Sequence, residues 1–357
     1  MIYNINMVPR DIFKKILDKA VHAPSGDNSQ PWRFSFDNDS ILIFNIENRD
    51  PTLYNFRQRG SYVSHGAVIE NIAIIAGALG YRVRIEAFPE GETCTAKIML
   101  EPSSTTSDVL CDAILERSTN RKPYRREALD PDHKRVIFDS AKAYQDISLK
   151  LVEDKDQLKA LAQAISLNEQ LVMENRPLHD FLFSIIRWSK REEERAPGLY
   201  IKTMEFPLPQ RLLLRLVRHW PFVRAFNMIG FSRLVPKGSS QLYASSSGIG
   251  AIILKNDSNA SFLHAGRIFQ RIWLTATHLG LAIQPIAAMP YLAQRVAAGE
   301  ADVFSPQHQG VINRAYTTIS HIFELRPGED IAMIFRIGYA DAPSARSMKR
   351  APEITDT

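Results

Sequence analysis

One stretch of this chain recurs. SHGAVIENIAIIAGALGY at 64–81 and HAGRIFQRIWLTATHLGL at 264–281 align without a gap at an offset of 200 residues. Gly66 falls on Gly266, Ile72 on Ile272, Ala76 on Ala276, Leu79 on Leu279 and Gly80 on Gly280. Both copies are strongly apolar and stop at Leu-Gly, as a buried helix closed by a glycine does. Their flanks match too: each follows strand-like sequence, Ala251–Lys255 in the second case, and each precedes an extended apolar segment. Duplication therefore explains the pair better than coincidence. It limits the chain to two related α+β halves around one composite core.

The rest of the first half fits that plan. Pro9–Val21 places Ile12, Phe13, Ile16, Leu17, Ala20 and Val21 at a helical period. Trp32–Phe36 and Ile41–Ile46 read as strands around the turn Asp37-Asn38-Asp39-Ser40, a helix covers 62–80, and Val83–Phe88 and Ala96–Glu101 read as a second strand pair. The halves are then 1–105 and 106–357, and Ala332–Gly338 supplies a late strand in the second. A helical insertion at about 155–236 interrupts that second half. Within it, 206–236 is basic and apolar, with Arg211, Arg215, Arg218 and Arg224 among Leu and Phe. It reads as an amphipathic segment packed on the body or a lid over a site. A membrane-surface helix is the alternative, disfavoured because Pro207, Pro209 and Pro221 interrupt a long apolar face.

Two segments carry the chemistry. HAPSGDNSQPWRF at 22–34 gathers the neutral hydrogen-bonding groups of Ser25, Asn28 and Gln30 just before an extended run. They suit an uncharged heteroaromatic ring better than a metal or a phosphate; a polar loop capping the next element is the plainer reading. RSTNRKPY at 117–124 alternates Arg117, Thr119 and Arg121, and two guanidinium forks with a hydroxyl suit a phosphate dianion. A solvated Arg-rich turn is the plainer reading there.

Together these segments resemble the FMN-dependent nitroreductase superfamily. PSxxNxQPW looks like its flavin-contacting segment, and RSTNRKPY looks like its RRSxRxF phosphate element, with Ser118 standing where a second Arg is usual. RIGYADAPSARSMKRAPE at 336–353 resembles its basic ending, with Lys349 and Arg350 at the matching place and Arg346 as an alternate. HLGLAIQPIAAMP at 278–290 resembles the segment whose backbone passes the flavin's redox face, with two alanines where an acidic residue and a glycine are common. The parts are split as a fused dimer with one surviving pocket would split them, as in the internally duplicated, Acg-like branch.

The resemblance implies a nitroreductase-like fold: two fused halves in a pseudo-dimer, with central antiparallel sheets flanked by helices. It implies an FMN site built from Pro24, Ser25, Gly26, Asn28, Gln30, Arg117, Thr119, Arg121, Pro285, Ile286, Ala287, Ala288, Lys349 and Arg350, with no side-chain catalyst. The activity implied is hydride transfer from NAD(P)H through the flavin to a small organic acceptor: a quinone, a nitroaromatic or a specialised metabolite. The alternative is a flavin-sequestering protein whose lid covers the FMN. A monomeric pseudo-dimer is expected, with a homodimer left open.

Other classes find little support. Cys94 and Cys111 form neither a metal motif nor a disulfide framework, which fits a reducing cytoplasm. The charged N-terminus lacks the apolar core of a secretory signal, and no apolar run is long enough to span a bilayer. A net charge of +5 comes without any zinc-finger, RNA-binding or helix-turn-helix signature for nucleic acid, and it fits an anionic cofactor. His22, His65, His264 and His321 show no paired-ligand spacing, and Ser245–Gly250 reproduces neither a GxSxG elbow nor a dinucleotide fingerprint.

Overall fold

The computed structural model describes residues 8–37, 39–104 and 108–355; the expected 105/106 boundary, Asn38 and the first seven residues lie outside the described residues. The chain begins α1 (Arg10–Ala20), β1 (Trp32–Asp37), β2 (Ser40–Asn45), α2 (Arg59–Ala78), β3 (Tyr81–Ala87) and β4 (Cys94–Pro102). Then come α3 (Ala113–Glu116), α4 (Pro131–Ser140) and β5 (Ile147–Val152). A helical excursion follows: α5 (Lys155–Ile165), α6 (Leu167–Glu174), α7 (Arg176–Ile185), β6 (Ile186–Arg187), α8 (Lys190–Arg195), β7 (Leu199–Tyr200), α9 (Leu208–Val217), α10 (Trp220–Met228) and α11 (Phe231–Tyr243). The chain closes with β8 (Gly248–Leu254), α12 (Asn259–His278), β9 (Ala282–Pro285), α13 (Ala288–Ala297), α14 (Pro306–Ile322) and β10 (Asp330–Gly338).

The architecture is α+β. Two four-stranded antiparallel sheets are ordered β1-β2-β4-β3 and β5-β8-β10-β9. Replacing β1, β2, β4 and β3 by β5, β8, β10 and β9 turns one order into the other, and α2 and α12 occupy the same place in each. The connections differ: α13 and α14 lie between β9 and β10, where β3 and β4 are joined directly. β1 and β2 pair with each other up to Asp37 and Ser40, whereas the chain between β5 and β8 makes the whole excursion 153–247. That is longer at both ends than the expected 155–236. Strand β5 escaped the sequence reading because it is an edge whose Lys150 lies along it, its ammonium donating to Phe323 O at 2.6 Å.

The two repeated helices meet at the centre. From Ser61 to Ala76 nearly every residue of α2 is buried, so the helix has no face to give to water. A Cβ on Gly66 would stand 1.9 Å from Leu263 O, and one on Gly266 would stand 2.0 Å from Val63 O. These are the same contact read from each side, as a local twofold axis requires. Polar groups caught in the seam are paired: Gln270 donates to Asn71 Oδ1 at 2.7 Å, while Arg267 and Arg271 meet Glu70 at 3.0 and 2.6 Å. Gly80 and Gly280 then turn the chain at φ 81° and 71° into β3 and towards β9.

The last residues return to the first sheet. Phe34 N donates to Glu353 O at 2.8 Å and Thr355 N to Phe34 O at 2.9 Å, so the tail adds an edge beside β1.

Candidate functional site

The segment after α1 is the most strained in the chain. Asp27, Asn28 and Gln30 all have positive φ, at 49°, 61° and 51°. Left-handed conformations are costly for such residues and persist only where surroundings impose them. Here Gln30 N donates to Ser25 Oγ at 3.0 Å and Asn28 N to Ser25 O at 3.1 Å, which closes the loop after Pro24. His65 on α2 bridges Pro31 O at 3.0 Å and Thr95 Oγ1 at 2.6 Å. Burial holds its pKa down to about 4, so the neutral ring donates from Nε2 and accepts at Nδ1.

The loop's amides reach into the tail and the excursion. Asn28 Nδ2 donates to Met348 O at 2.9 Å and Gly198 O at 3.4 Å, and Asn28 Oδ1 accepts from Lys349 Nζ at 2.9 Å. Gln30 Oε1 accepts from Arg350 N at 2.8 Å. Gly26 leaves room for Asp50, whose Oδ2 would lie 3.2 Å from an added Cβ.

A cationic cluster sits against this clasp. Arg117, at the end of α3, is 9% exposed and lies over the Trp273 ring at 4.4 Å. One nitrogen donates to His22 O at 2.8 Å, while the buried Nε has no partner. Burial and then Arg346 push its pKa down to about 9. Burial, followed by Arg117, carries Lys349 well below its ordinary value; burial, Lys349 and Arg117 lower His22. No carboxylate contributes to any of these shifts. Cations gathered out of water without a counter-charge are unfavourable, and a bound anion relieves them.

A second, mixed cluster adjoins the first. Arg121 donates to Thr203 O at 3.2 Å and is drawn by Asp27, so it faces away from Arg117. Burial lifts Asp27 to about 6 against the pull of Arg121, and burial with Asp27's charge lifts Asp50 to about 8. Glu169, raised by burial to about 7, accepts from Tyr243 at 2.9 Å; Tyr54 donates to Asn168 at 2.9 Å. Asp50 also bears on Tyr291, in the first turn of α13. That turn starts at Ala287–Ala288 without a capping side chain, after Ile286 N has bonded Ile334 O at 2.7 Å and Pro285 has paired with Phe335.

Thr119 bridges Ile283 in parallel, and Asn120 N donates to Ile283 O at 3.1 Å, so the RSTNR segment lies along the outer edge of β9. Arg336 bolts it there. Fully buried against Tyr124 at 3.9 Å, it donates to Gln284 Oε1 at 2.8 Å and to Leu242, Asn120 and Lys122 carbonyls.

No family model matches this chain. It is 22% identical over 347 residues to the uncharacterized protein MT1398 of Mycobacterium tuberculosis, covering 96% of this chain and 48% of that protein. The chain thus spans about half that relative's length. It is 25% identical over 283 residues to the M. tuberculosis protein named "Putative NAD(P)H nitroreductase acg", covering 77% of this chain and 80% of that one. Its relatives therefore include proteins named as putative nitroreductases. Solved structures similar to it include the FMN-dependent nitroreductase NfnB of Mycobacterium smegmatis with NADPH (14% identity, 64% of this chain and 86% of that one, TM-score 0.38). Another is an FMN-bound nitroreductase of Desulfitobacterium hafniense (13%, 70% and 98%, TM-score 0.39).

The structure groups the expected residues differently from their order in sequence. Pro24, Ser25, Gly26, Asn28, Gln30, Arg117 and Lys349 come together. Thr119, Pro285, Ile286, Ala287 and Ala288 lie along β9 and the start of α13. Arg350 brings its backbone to Gln30, while its charge is coupled mainly to Arg49 and Glu353, and the charge of Arg346 bears on Arg117. His22, Asp27, Asp50, Glu169 and Arg336 were not singled out as site residues. His22 and Asp27 flank residues that were, whereas Asp50 and Glu169 arrive by folding from segments with no signature.

Proposed function

We propose that the chain binds FMN and acts as an NAD(P)H oxidoreductase on a small organic acceptor, with its site formed between two related halves, 1–105 and 106–357. The observation that carries this reading is the cluster of His22, Arg117, Arg346 and Lys349, drawn from three distant segments with no carboxylate to balance it. A phosphate dianion matches its charge, and the unpartnered Arg117 Nε has a hydrogen bond to give. Bound FMN would accept hydride from the pyridine nucleotide and deliver it to the acceptor. The chain's own groups would bind and orient it: Arg117 and Lys349 would hold the phosphate, and the uncapped start of α13 would offer backbone N–H groups to the ring. Asp50 keeps a proton on its carboxyl near neutral pH, and Arg121 keeps Asp27 the more acidic of the two.

The acceptor is a quinone, a nitroaromatic or a specialised metabolite. A second reading, flavin sequestration, is favoured by one feature: Gly198 of the excursion and Met348 of the tail both accept from Asn28, closing the loop from two sides.

Arg117→Ala tests the phosphate role. Loss of a charge-assisted contact of roughly 1.5–3 kcal/mol weakens FMN retention by about tenfold or more. Retention equal to wild type refutes the assignment. Anaerobic bleaching by NADPH or NADH separates an enzyme from a store, whose flavin would stay oxidised.

A further inference from the structure

Between Glu205 and Asp257 the chain has no acidic residue, while Arg211, Arg215, Arg218, Arg224, Arg233 and Lys237 lie on α9–α11 and in the turns between them. The same helices hold large apolar side chains in solvent. Leu208, Leu212 and Leu216 recur every fourth residue on α9, and Leu208 is 69% exposed. Phe222 and Leu234 add to this surface, and the corner joining α10 to α11 presents Met228 at 88% and Ile229 at 81% exposure. The inward sides already serve the core: Val217, Val223 and Tyr243 are buried, with Trp220, Phe226 and Phe231 packed beside them. Pro207 immediately precedes α9, and Pro209 and Pro221 stand in the first turns of α9 and α10, where they start helices; Pro236 is buried inside α11.

Among the described residues none of the six cations forms an ion pair. Arg211 donates to Phe206 O at 2.6 Å, Arg218 donates to His219 at 3.1 Å, and Arg215 and Arg218 lie near the Trp188 ring at 5.9 and 5.8 Å. Arg224 shares a shallow cleft with Glu174 without pairing to it.

We propose that the α9–α11 surface docks on an anionic lipid bilayer. Met228, Ile229 and the α9 leucines enter the boundary between headgroups and acyl chains, and the arginines remain at the headgroups. Charge decides among the occupants. A second copy would set two predominantly cationic faces against each other, with Glu174 the one acidic group beside Arg224 in the cleft. A nucleic acid would satisfy the arginines but leave Met228 and Ile229 in water, where a strand-binding face offers aromatic rings for stacking. A bilayer with acidic headgroups satisfies both. The association is peripheral, since no helix among the described residues is long and apolar enough to cross a membrane.

The test is co-sedimentation of the full chain with phosphatidylcholine vesicles, with and without phosphatidylserine, across a salt series. Pelleting is expected with the serine lipid, weaker in high salt and at least tenfold weaker in Met228→Glu/Ile229→Glu. Arg224→Gln/Arg233→Gln is expected to lower affinity and flatten the salt dependence. All four side chains are exposed, so unchanged urea midpoints check that the variants fold. Absence of pelleting with either vesicle overturns the proposal. So does pelleting that the Met228→Glu/Ile229→Glu change leaves intact, a dimer that this change dissociates, or displacement from vesicles by duplex DNA that the change does not affect.

Discussion

Gly266→Ala asks whether the central seam is as tight as its geometry says. The new methyl would lie 2.0 Å from Val63 O and 2.8 Å from Val63 Cα, both backbone atoms. A carbon and an oxygen approach to about 3.3 Å at closest, so α2 and α12 must separate by roughly 1.3 Å. A gap of about 1 Å forfeits up to half of each dispersion contact it opens. It opens them for a helix that buries Phe262, Ile268, Phe269, Ile272 and Trp273, and it stretches the 2.7 Å bond between Gln270 and Asn71. Overpacking costs about 1–3 kcal/mol where side chains can yield. With backbone on backbone we set the cost at roughly 3–5 kcal/mol, offset by about 1 kcal/mol of helix propensity. At a slope of roughly 3 kcal/mol/M the urea midpoint falls by about 1 M. Gly77→Ala is the control on α2, where an added Cβ meets nothing within 4 Å. It should gain about 0.5–1 kcal/mol. The two changes therefore move the midpoint in opposite directions, and a Gly266→Ala midpoint at or above that of Gly77→Ala refutes the reasoning. Gly66→Ala should match Gly266→Ala. The double variant should cost less than the sum, because one separation relieves both clashes.

Other outcomes follow from the buried polar groups. A carboxyl with a raised folded pKa favours folding fully below its unfolded value of 3.8, and that contribution is lost as pH rises through about 8 for Asp50. Asp27 and Glu169 act in the same direction at about 6 and 7. Asp50→Asn should therefore flatten the stability profile between about pH 5 and 8 and raise the urea midpoint at the upper end; a profile parallel to wild type contradicts this. Arg336→Lys keeps a charge but cannot reach Gln284 and three carbonyls together, and a loss of about 3–5 kcal/mol should appear in denaturant unfolding. An unfolding midpoint within error of wild type would mean that Arg336 does not hold the RSTNR segment in place.

Much of this was legible because local pattern and burial agree. The core of β8 reads as the strand-like run from Ala251, whereas Gly248–Gly250, which reads as a turn before it, belongs to the buried strand, and α2 reads as a helix with no polar side. The partition of the site was not legible. Arg117 and Arg121 lie four residues apart, and sequence reading assigned both to one phosphate. The segment between them is extended along β9 and turns its two guanidinium groups to different neighbours, Trp273 and Asp27. Arg350 and Arg346 are equally basic in sequence, and the path of the extended tail brings Arg346 within electrostatic reach of Arg117.

The same contacts explain why the cationic cluster forms beside one of two similar sheets. The offset of 200 that equates the central helices places Ala73 opposite Trp273, so only α12 offers a ring for a guanidinium to rest on. Edge strand β9 is covered by Thr119 and Asn120, whereas its counterpart β3 ends its sheet with alternately exposed residues. The tail extends the sheet beside β1, where Phe34 exchanges hydrogen bonds with Glu353 and Thr355. Its counterpart β5 instead leads into the excursion. Each departure from twofold symmetry brings another segment to the loop at 22–30: the RSTNR run to His22, the tail to Asn28 and Gln30, and Gly198 to Asn28. The strained Asp27-Asn28 turn lies where these asymmetric additions converge. Restoring symmetry by removing the tail would strip Lys349 and Arg346 from the cationic cluster and expose the edge beside β1 in one step, so the cluster and the first sheet should fail together.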